Sequence, residues 1–146
     1  MANQVKRSAL LPYAASALFE IVNDVRSYPE FLPWCKHAEV VEESDRVLTA
    51  TLSLSGRGIK ESFTTRNTLI PDEQINLELV SGPFQSLSGY WQFTPLGDSG
   101  CRVDLNLTFQ FGGMAQVFGA PFTRVFTRAA DQLVNAFCTR AQALLD

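Results

Sequence analysis

The sequence predicts an α+β fold in which an antiparallel sheet packs against one long C-terminal helix. Three observations predict this fold. Apolar residues recur with helical spacing near the N-terminus and again from residue 114 onward. Between these segments, from residue 37 to residue 111, apolar and polar residues alternate in about six strands joined by short turns. Helices that are segregated from a run of hairpin-linked strands are typical of α+β proteins.

Length and composition indicate one globular domain that spans residues 1–146. A chain of 146 residues buries roughly 68–70% of its unfolded surface, so it needs no disulfide or metal to fold. The net charge is -3 and the twelve Lys and Arg residues are scattered, which argues against DNA binding. Cys35, Cys101 and Cys138 form no CxxC pair, so we expect free thiols in a reducing compartment.

The first elements are a strand and two short helices. The strand "VKRSALLP" is halted by Pro12. Apolar residues between Ala14 and Val25 lie on one helical face, and this helix ends near Ser27. Pro29 opens a second helix of about one turn, which Pro33 ends. We expect no signal peptide and no membrane-spanning helix, which needs about 20 apolar residues, and we therefore expect a cytoplasmic location.

The strands follow from residue 37, and the last of them has the clearest pattern. The predicted ranges are 37–43, 46–56, 59–70, 74–81, 85–96 and 101–111. In the last strand apolar side chains from Cys101 to Phe111 alternate with polar ones, which predicts one buried face and one solvated face. The inward positions of two other strands are predicted as Leu48, Ala50, Leu52 and Leu54, and as Leu87, Gly89, Trp91 and Phe93.

A long helix is predicted from Met114 to the C-terminus, with a kink or restart at Pro121. Its apolar stripe consists of Met114, Val117, Phe118, Phe122, Val125, Phe126, Ala129, Leu133, Phe137 and Leu144.

No catalytic or metal site is predicted. The single histidine, His37, has no evident orienting partner. Acidic residues occur in two clusters, which are interpreted as solvated turns and edges. The first cluster is Glu39, Glu42, Glu43 and Asp45, and the second is Asp72 and Glu73. We therefore expect a protein that binds rather than catalyses. An inward-facing acid or base would instead favour a cyclase or hydrolase.

The eleven Phe residues predict a large core or a core with space inside it. Rigid rings on the inner face of a curved sheet predict an apolar cavity that suits an isoprenoid, fatty or polycyclic ligand. The segment "YPEFLPWC", residues 28–35, either closes this cavity as a lid or caps the core. The predicted lining is Phe19, Val22, Phe31, Leu32, Trp34, Leu52, Leu54, Phe63, Trp91, Phe93, Leu107, Phe109, Phe118, Phe122 and Phe126.

Arg66 is the candidate for a polar contact with such a ligand. It is either a solvent-facing cation of its strand or a residue at the rim of the cavity that holds a polar head group. Arg57 and Lys60 flank a glycine turn and are interpreted as solvated, or as a small basic patch with Arg66.

Four segments together resemble the START-like proteins of the coenzyme-Q-binding branch, a group akin to polyketide cyclases and lipid transporters. They are "LPYAASALFEIVNDVRSYPEFLPWC", "ESFTTRNTL", "VSGPFQSLSGYWQFTPL" and "CRVDLNLTFQF", and the resemblance extends from Val5 to Leu144. It implies a helix-grip fold of the START/Bet v 1 type, with about seven strands around the C-terminal helix. It also implies a bound ubiquinone or similar lipid in support of respiration, with no required cofactor.

The same resemblance implies an alternative function. Within this family the chain is most similar to bacterial toxins described as binding the large ribosomal subunit and blocking its joining with the small subunit. The implied partners are thus an isoprenoid quinone or lipid and the large ribosomal subunit, in the bacterial cytoplasm. The resemblance is compatible with a transient contact at a membrane surface. Distant members of the fold are enzymes of the cyclase type.

Overall fold

Seven antiparallel strands form one sheet in the computed structural model. The structure describes residues 3–56, 59–111 and 120–146, and for residues 59 and 120–123 it describes the backbone only. The strand order across the sheet is β1-β7-β6-β5-β4-β3-β2, so β1 and β2 are the two edges. The strands are β1 Asn3–Leu11, β2 Cys35–Glu43, β3 Val47–Gly56, β4 Ile59–Ile70, β5 Gln74–Ser81, β6 Phe84–Leu96 and β7 Gly100–Phe111. The predicted strands are present.

Two α-helices and one 3₁₀ helix complete the described chain: α1 Ala15–Asn23, the 3₁₀ helix Val25–Glu30, and α2 Ala120–Leu145. The prediction was wrong on the bounds of the short helices, since α1 ends at Asn23 and the second helix begins at Val25 and contains Pro29 near its end rather than opening with it. Pro29 disfavours α geometry at Tyr28. The chain continues with tighter turns, in which Ser27 N donates to Asp24 O at 3.1 Å.

The alternation in β7 is confirmed. Its inward side chains from Cys101 to Phe109 are each 5% exposed or less, while Phe111 at the end is half-buried. In β3 the predicted inward residues Leu48, Ala50 and Leu54 are buried. We call this buried side the inner face of the sheet, and it is the side against which α2 packs.

The helix α2 lies on the inner face through a cluster of aromatic rings around Phe126. The Phe126 ring centroid is 4.7 Å from Phe84, 5.0 Å from Phe109 and 5.8 Å from Phe63. This packing of one helix in a curved antiparallel sheet is the predicted helix-grip arrangement. The sheet and α2 share their buried residues in one hydrophobic core.

The apolar stripe of α2 is confirmed in its central part, where Phe126, Ala129 and Phe137 are buried. Leu144 was wrongly included, because it follows the last buried position, Ala141, and is 53% exposed. Met114, Val117 and Phe118 lie outside the described residues. The predicted start of the helix at Met114 therefore lies outside them as well. Pro121 itself lies in the first turn of the described helix, where proline is tolerated.

Gly89 allows β6 and β7 to approach closely. A Cβ at this position would collide with the carbonyl oxygen of Asn106 and lie 2.9 Å from Leu107 Cδ2. Gly89 pairs directly with Leu107 and with Leu77 of β5, so it lies in the middle of the sheet. A side chain at position 89 would therefore force central strands apart.

We predict that Gly89→Ala lowers the free energy of unfolding by about 1–3 kcal/mol, the range for an overpacked core position. Gly56→Ala is the matched control, because its Cβ would meet only Val125 at 3.5 Å, an ordinary contact. Urea denaturation of both variants measures the difference. Equal stability of the two variants would contradict the close approach at Gly89.

Candidate functional site

An apolar cavity of about 90 Å³ lies between the inner face of the sheet and α2. Three parts of the chain form its walls: residues of β3 to β7, one face of α2, and the 3₁₀ helix with the turn that follows it. The lining residues are Val25, Tyr28, Trp34, Ala50, Leu52, Phe63, Thr65, Asn67, Leu77, Leu87, Trp91, Leu107, Phe126, Ala129, Ala130 and Leu133.

Strand alternation and register build the sheet wall. Every second residue of β4 points to the inner face, which brings Phe63, Thr65 and Asn67 to the cavity. Antiparallel pairing sets Phe63 opposite Leu52, and it sets Thr65 opposite Ala50. The wall is therefore continuous across neighbouring strands.

The helix wall consists of Phe126, Ala129, Ala130 and Leu133. Their spacing of three, four and seven residues from Phe126 places them on one face of α2. Two of the four are alanines, and Ala50 of β3 is a third small residue in the lining. Because small side chains fill little of the space between helix and sheet, they leave the volume that forms the cavity.

The third wall is formed by Val25, Tyr28 and Trp34. The buried hydroxyl of Tyr28 donates a hydrogen bond to the carbonyl oxygen of Val22, and its ring centroid is 5.4 Å from that of Phe137 on α2. Burial raises the pKa of Tyr28 well above its usual value, because ionisation would place a charge in the core. Tyr28 is therefore a neutral structural residue that ties the 3₁₀ helix to α1 and α2.

Backbone hydrogen bonds hold the turn that carries Trp34. Leu32 N donates to Tyr28 O at 2.9 Å, and Ser55 N of β3 donates to Trp34 O at 2.9 Å. The Leu32 side chain is 1% exposed. Of the two interpretations of residues 28–35, these bonds favour the core cap over the mobile lid.

Two polar side chains, Thr65 and Asn67, lie among the apolar residues of the cavity. The Thr65 hydroxyl donates to Asn67 Oδ1 at 2.9 Å. Asn67 is only 7% exposed. Both residues share the inner face with Phe63, so the alternation in "FTTRN" could have identified them. They were missed because polar strand residues were assigned to the solvated face.

The structure places the predicted lining residues in different surroundings. Those that reach the cavity are Trp34, Leu52, Phe63, Trp91, Leu107 and Phe126. Val22 and Trp91 line a separate gap of about 10 Å³ beside α1. The remainder belong to the surrounding core: Phe19, Leu32, Leu54, Phe93 and Phe109 are buried, and Phe31 is partly buried. Phe118 and the side chain of Phe122 lie outside the described residues.

Several residues were not among the predicted lining, although Ala50, Leu87, Ala129 and Leu133 were predicted to face inward. The unpredicted lining residues are Val25, Tyr28, Ala50, Thr65, Asn67, Leu77, Leu87, Ala129, Ala130 and Leu133. Most are small or aliphatic, and a search for aromatic residues passes over them. Helical spacing from Phe126 was the available signal for the three on α2.

Arg66 lies on the outer face of β4, away from the cavity. Its side chain is exposed, and Nη1 is 3.8 Å from Glu42 Oε1 of β2. This geometry agrees with the solvent-facing alternative and offers no contact with a ligand head group in the cavity. Lys60 is exposed, and Arg57 lies outside the described residues.

Among the described residues, the lining contains no charged side chain, so this part of the cavity wall suits a neutral apolar molecule and presents no carboxylate, histidine or cationic group. His37 and the glutamates of β2 are exposed on the edge strand, and Asp72 and Glu73 are exposed in the β4–β5 turn. Within the described ranges, no group of His, Cys, Asp and Glu residues is arranged to hold a metal ion.

The thiols lack the features of reactive cysteines. Burial raises the pKa of Cys35 to about 11, and it also raises the pKa values of Cys101 and Cys138. Because the thiolate is the reactive species, these protonated thiols act as small apolar side chains at neutral pH.

The chain matches the family described as polyketide cyclase / dehydrase and lipid transport over residues 11–138. Two similar bacterial proteins are named ribosome association toxin RatA. The Pseudomonas aeruginosa protein is 46% identical over 99% of both chains. The Escherichia coli K12 protein is 42% identical over 95% of this chain and 87% of its own.

A more distant relative is coenzyme Q-binding protein COQ10 homolog B, a mitochondrial protein of Xenopus laevis. It is 28% identical over 92% of this chain and 56% of its own length. Among solved structures, the Zhui aromatase/cyclase from a Streptomyces species superimposes with a TM-score of 0.85 over 100% of this chain and 97% of that chain. The identity there is 19%, so this likeness concerns the fold alone.

We found no helix, within the ranges that the structure describes, with the length and apolar character needed to span a membrane.

Tyr28→Phe is predicted to lower the free energy of unfolding by about 1 kcal/mol at pH 7, because one buried hydrogen bond to Val22 is lost. The difference in free energy of unfolding between the wild type and Tyr28→Phe should become smaller above pH 10. There the unfolded wild-type chain releases the Tyr28 proton, but the folded protein, whose Tyr28 pKa is raised, retains it, so wild-type stability falls with pH. Urea titrations between pH 7 and pH 11 test this. A difference that stays constant with pH would contradict it.

Proposed function

Since this chain belongs to the polyketide cyclase / dehydrase and lipid transport family, we propose that it acts as a ribosome association toxin. In this proposal it binds the large ribosomal subunit in the bacterial cytoplasm and hinders its joining with the small subunit. The observation that carries the proposal is identity of 42–46% with proteins of that name over at least 95% of this chain.

The distribution of charge supports a local electrostatic contact despite the net charge of -3. The glutamates Glu39, Glu42 and Glu43 lie on β2, at one edge of the sheet. At the opposite edge, β1 carries the exposed cations Lys6 and Arg7. The β1 edge therefore carries exposed cations of its own, through which we propose that it approaches ribosomal RNA phosphates.

Helix α2 adds cations on the basic side. Asp131 pairs with Arg7 of β1, which places this stripe of the helix beside the edge strand. Arg128 and Arg124 precede Asp131 by three and seven residues, so they lie on the same exposed stripe. Within the described part of the chain neither forms an ion pair. We propose Arg124 and Arg128 as contacts to the ribosome.

We predict that the double variant Arg124→Glu/Arg128→Glu loses affinity for large ribosomal subunits in cosedimentation. The slope of log affinity against log salt should fall by about two, since two phosphate contacts are removed. The matched control is Lys36→Glu/Arg46→Glu, which changes the net charge equally at the acidic edge and should retain binding. An equal loss in the control would assign the effect to net charge. Absence of wild-type cosedimentation at low salt would refute the proposed function.

The cavity supports a second candidate function, the binding of ubiquinone or a similar isoprenoid. The observation that carries it is the apolar, uncharged lining, and the distant relative named as a coenzyme Q-binding protein is consistent with it. Burial of a ligand in such a lining yields about 25 cal/mol per Å² of apolar area. We propose binding rather than catalysis, because the described lining residues include no carboxylate, histidine or cationic side chain.

The size of the cavity sets a condition on this binding. Its volume of about 90 Å³ is smaller than the roughly 150 Å³ of an apolar cavity that holds benzene. Uptake of a quinone ring therefore requires α2 or the turn at Trp34 to move outward, and an isoprenoid tail has to extend beyond the cavity.

Short-chain ubiquinone is predicted to quench the tryptophan fluorescence of the protein, because both Trp34 and Trp91 line the cavity. Trp34→Ala should weaken binding several-fold beyond any change in stability, which urea denaturation measures separately. If the variant loses stability and keeps its affinity, residues 28–35 only cap the core. Unchanged wild-type fluorescence together with no lipid in solvent extracts would exclude this second function.

A further inference from the structure

The buried amide of Asn67 is the feature of the cavity that apolar packing does not explain. Asn67 lies on β4 between the inward residues Thr65 and Leu69, and it is 7% exposed. Its strand neighbour on β5 is Leu77, which is apolar. An amide in such surroundings is costly unless its hydrogen-bonding groups find partners.

Accounting for the hydrogen bonds of Asn67 leaves one group without a partner. An asparagine side chain has one acceptor oxygen and an NH₂ group with two donors. Oδ1 accepts the Thr65 hydroxyl at 2.9 Å. Within the residues that the structure describes, no hydrogen bond joins Nδ2 to another protein group, although Nδ2 is not fully buried, and Asn67 lines the cavity. Thr65 thus fixes the amide oxygen and leaves the NH₂ group as a donor for whatever occupies the cavity.

The surroundings decide which acceptor fits this donor. A carboxylate or phosphate would have to leave water for a cavity whose described lining residues include no cation, which is strongly unfavourable. A pure hydrocarbon would fill the space but leave the NH₂ group unpaired. A neutral acceptor on an apolar body, such as the carbonyl oxygen of a quinone or ketone, satisfies both conditions.

We infer that Asn67 donates a hydrogen bond to a carbonyl oxygen of the ligand, and that Thr65 positions it to do so. The cavity therefore selects neutral carbonyl-bearing ring compounds over hydrocarbons and over fatty acids. This inference rests on the proposed binding of an apolar ligand in the cavity.

The test compares duroquinone with durene, which share a tetramethylated six-membered ring and differ in the two carbonyl groups. Displacement of a fluorescent apolar probe gives the affinity for each ligand. Asn67→Leu should weaken duroquinone binding about tenfold and change durene binding less than about twofold, since one net hydrogen bond is worth roughly a factor of ten.

A second pair of variants guards against a folding defect in Asn67→Leu. Thr65→Val keeps the Asn67 amide but removes the hydroxyl that orients it. The variant should therefore lower the affinity for duroquinone by about threefold and leave the affinity for durene unchanged. Thr64→Val is the matched control: it removes the hydroxyl of the preceding residue, which pairs with Thr51 at 2.7 Å and does not line the cavity. The control should bind both ligands as the wild type does.

The outcomes separate this inference from the proposal on which it rests. If the wild type binds both ligands and the variants lose affinity for both equally, the role of Asn67 is refuted while cavity binding stands. If the wild type binds neither ligand, cavity binding and the inference fall together. Selective loss of duroquinone in Asn67→Leu and Thr65→Val, with Thr64→Val unchanged, establishes the inference.

Discussion

The contact between Phe126 and the rings of the sheet is the interaction on which the rest of the structure depends. Phe126 meets Phe63 of β4, Phe84 of β6 and Phe109 of β7, all in edge-to-face geometry. Such pairs contribute about 0.5–1.5 kcal/mol each beyond the burial of their area. Because these rings come from three strands, one helical residue holds α2 against the central part of the inner face, from β4 to β7.

The cavity is a consequence of what lies next to this cluster. In the turn of α2 that follows Phe126, the inward side chains are the small residues Ala129 and Ala130. The opposing strand β3 contributes a third small residue, Ala50. The aromatic contacts hold helix and sheet apart at a distance that the alanines cannot fill. A core selected only for stability would fill such a space, since voids lose packing energy. The same region also holds the buried amide of Asn67, a second departure from simple packing.

The two proposed functions use separate parts of the molecule. Ligand binding would occur between the sheet and the buried face of α2, whereas a ribosome contact would use the exposed face of the same helix and the edge strand β1. Helix α2 is therefore common to both. If ligand uptake moves α2 rather than the turn at Trp34, Arg124 and Arg128 would move with the helix.

The sequence by itself determined the elements and the faces of the sheet. Alternation in β7 identified its buried residues, because a strand with one solvated face has apolar residues at every second position. Pro12 and the glycine turns marked strand ends, because proline cannot donate a backbone hydrogen bond and glycine favours turns.

Tertiary structure decided which inward residues pack in the core and which line a cavity. Phe93 and Trp91 share one strand face, yet of the two only Trp91 reaches the cavity, where it lies between Ile75 and Leu105 in the sheet and packs against the Phe137 ring of α2. The inward placement of Thr65 and Asn67, and the pairing of Arg66 with Glu42 on the outer face, likewise depend on register between strands far apart in sequence. Local sequence patterns carry no information on such register, because it is set by long-range packing.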